Sequence, residues 1–303
     1  MARLSGKTAL VFGAGPNIGG TIAHFLAREG ANVGVVDVNP DAAAETAAFI
    51  TGRGLSAIGL AGDALAEADV VRVVGQTVAR FGGLDIMVNM AGRILWGHLL
   101  DMEAEDWRDA VASFPTAGFL TTKHAARAML AGHRRGSIIH LLSTAAHFGE
   151  ASGTAYTAGK AALLNFARSA AMDLAHHGIR VNTITPCGME HQLWTGMREE
   201  IFDPNFEKPD RPSFYSRDDY LKMIPLERFP RASDLADAAV FLASDEASFI
   251  TAADIPVDGG LRYKYPTWRP GEYHHLTIAD YAARTHVTRY GEPGEKLLGG
   301  ENG

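Results

Sequence analysis

The chain has 303 residues, with 28 Lys and Arg against 35 Asp and Glu, giving a formal net charge of -7. At 47% hydrophobic and 21% charged residues it has the make-up of a globular protein with a sizeable core, not of a disordered chain. Its acidic balance, without a block of Lys or Arg, argues against a nucleic-acid partner, and its single cysteine, Cys187, leaves no disulfide framework and no cysteine-based zinc site.

Nowhere do about 18 apolar residues run uninterrupted, and Met1 to Ser5 lack the flank and apolar core of a signal peptide. The expectation is a cytoplasmic protein with no membrane partner. From the N-terminus, an apolar strand over 8–12 leads through the turn Gly13-Ala14-Gly15-Pro16-Asn17-Ile18-Gly19-Gly20 into a helix over 18–29. Strand 32–38, helix 41–51, strand 55–60, helix 66–81 and strand 84–89 follow, then a helix from about Asp106 that meets Pro115. Strand 137–142, helix 155–177, strand 179–185 and strand 254–257 complete the series. The strands are nearly continuous Val, Ile, Leu and Ala, as for strands covered on both faces. Alternating strands and helices predict an α/β fold with a doubly wound parallel sheet, Rossmann-like, in a single domain. That domain is expected over 1–260, with a long aromatic and proline-rich lid over 187–224 and a C-terminal extension over 261–303.

Two ends of this sheet carry chemistry. The glycine turn between strand and helix suits a pyrophosphate, because bare backbone can approach it and a helix start offers free N–H groups. Asp37, at the end of the second strand, can accept both hydroxyls of an adenosine ribose and would repel a 2′-phosphate. No Arg follows it, so the expected cofactor is NAD and not NADP. At the other end, Tyr156 and Lys160 are spaced i, i+4 near a helix start and so share a face. A tyrosine with an unperturbed pKa of about 10 becomes an efficient acid–base only when a nearby positive charge favours its phenolate. Ser143 follows the strand over 137–142, where ligands of α/β sheets bind.

Taken together and in order, these pieces resemble the short-chain dehydrogenase/reductase family over about Leu4 to Gly260. The resemblance rests on Gly13–Gly19, Asp37, Asp63, Asn89-Met90-Ala91-Gly92, Ser143, Tyr156 with Lys160, Arg180-Val181-Asn182 with Pro186, and Val257-Asp258-Gly259-Gly260. It implies an NAD-dependent oxidoreductase interconverting a secondary alcohol and a ketone. Tyr156 would be the acid–base, Lys160 would bind the nicotinamide ribose and lower the tyrosine pKa, and Ser143 would hold the substrate oxygen. Gly13, Asn17 and Ile18 would line the pyrophosphate turn, Asp63 and Ala64 the adenine, Asn89 the ribose, and Met189 the nicotinamide carboxamide. The resemblance also implies a small-molecule substrate beside Trp96, His147, Phe148, His191 and Trp194, whose aromatic character suggests a bulky apolar or aromatic one. No histidine spacing suggests a metal.

Several positions depart from the family pattern. Asn17 stands for a glycine, as a residue that tolerates positive φ, and Phe12, Met90, Cys187 and His191 replace other usual residues. Phe114 stands where the family has an asparagine that holds a relay water. A helix running through Pro115 would free the carbonyl of Val111, which could hold that water instead. These departures also suit a non-catalytic nucleotide-binding relative acting as a sensor or assembly subunit. An enoyl reductase is disfavoured by the four-residue spacing of Tyr156 and Lys160. The helix over 155–177, apolar over most of its circumference, predicts a homo-oligomer, and the family resemblance implies a tetramer.

Overall fold

A computed structural model of the protein describes residues 2–189 and 217–264. The described residues up to Lys264 form one compact unit, which contains all the elements given below.

Seven strands form one parallel sheet in the order β3-β2-β1-β4-β5-β6-β7. They are β1 (Thr8–Phe12), β2 (Asn32–Asp37), β3 (Ala57–Ala61), β4 (Ile86–Asn89), β5 (Gly136–Leu141), β6 (Ile179–Pro186) and β7 (Asp254–Val257). The chain order reverses between β1 and β4, which pair side by side, so the crevice at their carboxyl ends is where a doubly wound sheet takes a ligand. Central strands β1, β4 and β5 are buried at every residue, as their unbroken apolar runs require.

The helices are α1 (Ile18–Arg28), α2 (Pro40–Thr51), α3 (Glu67–Phe81), α4 (Ala104–Ala131), α5 (Thr154–Ala175), the short α6 (Arg217–Leu221) and α7 (Ala232–Ala243). One core lies between the sheet and α1, α2 and α7, with Leu26, Val35, Ile50, Ile86 and Leu235 fully buried. The other lies between the sheet and α3, α4 and α5, with Leu10, Val73, Met87 and Ile138 fully buried. Sequence-derived ends shift by one or two residues: Val38 lies beyond β2 and is 72% exposed, and β3 starts at Ala57. No helix of the described residues is long and apolar enough to cross a membrane.

Helix α4 is 28 residues long and runs unbroken through Pro115. The ring removes the N–H that the Val111 carbonyl would accept. The carbonyl instead faces α5, where a Cβ built on Gly159 would sit 3.1 Å from it. A glycine is therefore what lets α4 and α5 approach at this level, one residue before Lys160.

Candidate active site

At the cofactor end, β1 passes through Gly13, with φ of 75°, into the start of α1. Gly19 must lack a side chain, because a Cβ there would overlap the Gly13 carbonyl. Asn17 is the N-cap of α1: its side chain accepts from the Gly19 N–H at 2.7 Å, with φ of −142°. Its place is thus owed to capping, and the positive φ expected of it does not occur. Asp37 accepts from the Gly15 N–H at 2.9 Å and the Asn39 N–H at 3.0 Å, tying the glycine turn to the end of β2. Ile18 packs partly buried against the core. Asp63 accepts from the Leu65 N–H at 2.8 Å, and Ala64 is buried in the second core.

Asn89 is fully buried, accepts from the Ala91 N–H at 3.1 Å, and leaves its side-chain N–H2 without a partner. A buried unpaired donor is costly, so this crevice fits a ligand that brings an acceptor. Bare glycine backbone, an acidic strand end and this amide together suit a dinucleotide.

The catalytic end rests on a small cluster of Phe114, Leu142, Leu163 and Leu164, against which Tyr156 packs. Ser143 caps a 3-10 turn over Thr144–Ala146, accepting from the Ala145 N–H at 3.2 Å. One turn on from Tyr156 along α5, Lys160 is 5% exposed and its ammonium donates to the Leu141 carbonyl at 2.8 Å. It lies 4.5 Å over the Phe114 ring and 5.9 Å over that of Tyr156. Burial pushes Lys160 down to about 7. Tyr156 moves up, not down: burial dominates, and the Glu150 charge adds to it, against a lowering by Ser143. The expected depression by Lys160 is therefore absent in the protein alone, because the ammonium is itself poorly charged and turned to Leu141. Trp96, 40% exposed, lies 5.3 Å from the Tyr156 ring, with Phe114 at 5.5 Å edge-on.

Residues 13–262 match the family model described as enoyl-(acyl carrier protein) reductase. Sorbitol dehydrogenase of Cereibacter sphaeroides is 37% identical over 263 residues, covering 85% of this chain and 98% of the relative. D-threitol dehydrogenase of Mycolicibacterium smegmatis is 33% identical over 266 residues, covering 86% and 95%. Among solved structures, a short-chain type dehydrogenase/reductase from Mycobacterium marinum superposes with a TM-score of 0.73 at 31% identity, covering 86% of this chain and 97% of that one. The chain belongs to the short-chain dehydrogenase/reductase family. As a member of it, the protein is an oxidoreductase.

The family reading of the substrate side is met unevenly. Trp96 lies beside Tyr156, and Phe148 is 48% exposed. His147 is engaged elsewhere: its ring lies 3.0 Å from Asp254 and 2.6 Å from Arg262, an arginine that also pairs with Asp254 at 2.6 Å and Asp258 at 3.2 Å. This network fastens the turn after Ser143 to β7. Met189 is partly buried against the first core, and His191 and Trp194 lie outside the described residues. No cluster of metal ligands occurs among the described residues.

Sequence reasoning missed three participants. Tyr220, on α6, accepts from the Gly188 N–H at 2.6 Å and hydrogen-bonds Cys187, latching the segment after β6. Burial pushes that thiol up to about 12. His140, on β5 behind Lys160, is fully buried, bonds Thr122 at 3.0 Å, and is pushed down to about 3, mainly by burial. Glu150 lies in the loop before α5. Only Cys187 carried any signal, as the departure that Tyr220 accommodates.

Proposed function

We propose that the protein is an NAD-dependent dehydrogenase that interconverts a secondary alcohol and a ketone, on a substrate with a bulky apolar or aromatic face. The observation that carries this is the Tyr156 ring, 5.3 Å from that of Trp96, with the buried Lys160 one turn on along α5. When bound, the nicotinamide accepts the hydride from the carbinol carbon or returns it to the ketone. Ser143 holds the substrate oxygen, and the Tyr156 phenol oxygen takes its proton in oxidation and gives it back in reduction. Lys160 would bind a ribose hydroxyl of the cofactor, and its positive charge would favour the phenolate. Gly13, Asn17 and Ile18 would cradle the pyrophosphate, Asp63 and Ala64 would border the adenine, Asn89 would support the ribose side, and Met189 would face the carboxamide. Relatives acting on sorbitol and threitol support an alcohol as the substrate. Asp37, followed by Val38 and Asn39 and by no Arg, supports NAD over NADP.

Oxidation of secondary alcohols with NAD, followed by absorbance of the reduced nicotinamide, tests the reading. Wild-type protein turns over with NAD preferred, Asp37→Ala binds NAD more weakly and loses discrimination against NADP, and Tyr156→Phe loses at least about 100-fold in kcat. Nucleotide binding without turnover of any alcohol or ketone would favour the sensor or assembly role instead.

A further inference from the structure

Glu150 is a carboxylate that the chemistry above does not use. It lies in the loop between the Ser143 turn and α5, partly buried, and among the described residues it has neither an ion pair nor a hydrogen bond to its side chain. Its position is fixed by backbone: the Gly153 N–H donates to the Glu150 carbonyl at 3.0 Å, and the Gly97 N–H donates to the Ser152 carbonyl at 2.8 Å. These bonds join the loop to the segment that carries Trp96. A Cβ on Gly153 would sit 2.7 Å from the Trp96 ring and 3.3 Å from the Glu150 Cβ. Trp96, Glu150 and, through the Trp96 ring, Tyr156 thus converge about one bare glycine.

Burial holds the Glu150 carboxyl above its ordinary value, and its charge raises both Tyr156 and Tyr220. An ionised carboxylate only accepts hydrogen bonds. One that is desolvated and left unpaired costs stability that a ligand donor can return.

From this juxtaposition we infer that Glu150 is a specificity residue, accepting a hydrogen bond from a second hydroxyl of a neutral substrate whose apolar face lies on Trp96, and repelling substrates that carry a carboxylate or phosphate. This rests on the functional reading above and narrows it to a polyhydroxylated alcohol. The polar and apolar demands are compatible, since a hydroxylated ring or chain has both an edge of donors and a C–H face. Repulsion follows because like charges in a partly desolvated cleft are poorly screened.

Three alcohols separate these effects: cyclohexanol, trans vicinal cyclohexanediol and hydroxycyclohexanecarboxylate, each oxidised with NAD by wild type, Glu150→Gln and Glu150→Leu. Wild type favours the diol over cyclohexanol in kcat/KM, and Glu150→Leu lowers that ratio by about tenfold or more, as loss of a hydrogen bond to a charged group implies. Glu150→Gln, which keeps an acceptor and loses the charge, falls between. Both variants raise kcat/KM for the carboxylate relative to cyclohexanol by about tenfold. Ratios equal across the three proteins overturn the assignment. If no alcohol turns over, it is the functional reading that fails, and Glu150 is then judged by calorimetry of the diol with NAD present. Binding to wild type that Glu150→Leu loses supports the site; equal binding to both, or none to wild type, overturns it.

Discussion

Lys160 is a cation placed where a cation is costly. The residue is 5% exposed, and its ammonium has one carbonyl and the rings of Phe114 and Tyr156 for company. The Phe114 ring offers cation–π attraction where an asparagine would offer a dipole, and this is too little to offset burial, which pushes the group down to about 7. The unfolded chain keeps that lysine charged up to about pH 10.4. Between those values the unfolded state binds more protons, so stability rises with pH across this window and is lowest, by a constant amount, below it. Lys160→Met, never charged, should abolish turnover and yet melt higher than wild type in the absence of nucleotide. The gain should be about 5 °C or more at pH 7 and shrink towards pH 10. Thermal denaturation followed by circular dichroism at the two pH values checks the sign. A variant that melts below wild type at pH 7 would mean that the ammonium is well accommodated where it lies.

At the scale of elements, the close approach of α4 to α5 depends on missing methyl groups, at Gly118 of α4, where a Cβ would overlap Leu163, and at Gly159 of α5. A Cβ on Gly159 would stand 2.7 Å from the Phe114 ring and 3.1 Å from the Val111 carbonyl, whereas one on Gly75, in α3, would meet nothing within 4 Å. Alanine favours a helix interior over glycine by about 1 kcal/mol, and overpacking costs about 1–3 kcal/mol. Gly75→Ala should therefore raise the melting temperature by about 2–4 °C. Gly159→Ala should lower it and reduce kcat, since Lys160 is the next residue. Equal shifts in the two proteins would show that the helices are free to part. This pair also marks where the sequence stops being legible. The strands, their parallel pairing and the positions of Ser143, Tyr156 and Lys160 on strand and helix ends follow from local patterns: unbroken apolar runs, glycines at turns and an i, i+4 pair. The direction in which Lys160 and Tyr156 shift does not, because it depends on Leu141, Phe114 and Glu150, which α4, β5 and the loop before α5 bring in from far apart in the chain. Likewise His147 reads as a substrate neighbour until β7 and Arg262 are in place to claim its ring.

For the whole molecule, the outer faces of α4 and α5 are unusual for a surface left to water. Ala112, Thr116 and Phe119 on α4 and Ala161, Ala162 and Asn165 on α5 are all exposed, uncharged and, apart from Phe119, small. Positions 112, 116 and 119 follow the i, i+4, i+7 spacing of one helix stripe, and 161 and 165 do the same on α5. Phe119 reaches across to Phe166 of α5, at 6.4 Å edge-on, so the two stripes adjoin. Small residues leave a shallow surface that another pair of helices can approach closely, and exposed apolar patches of this kind mark association sites. Because the patch would face its own copy, the contact is of the two-fold kind that closes on itself. We expect a homo-oligomer, with a tetramer requiring a second such contact elsewhere on the surface. Light scattering at micromolar concentration should give a mass of about four chains for wild type, or two if only this face is used. Ala161→Glu and Phe119→Asp, which place charges at the centre of the patch, should each at least halve that mass while leaving the circular dichroism of the fold unchanged. A monomeric wild type would mean that the patch is covered by something other than a second copy, and an oligomer indifferent to both substitutions would move the interface to another face.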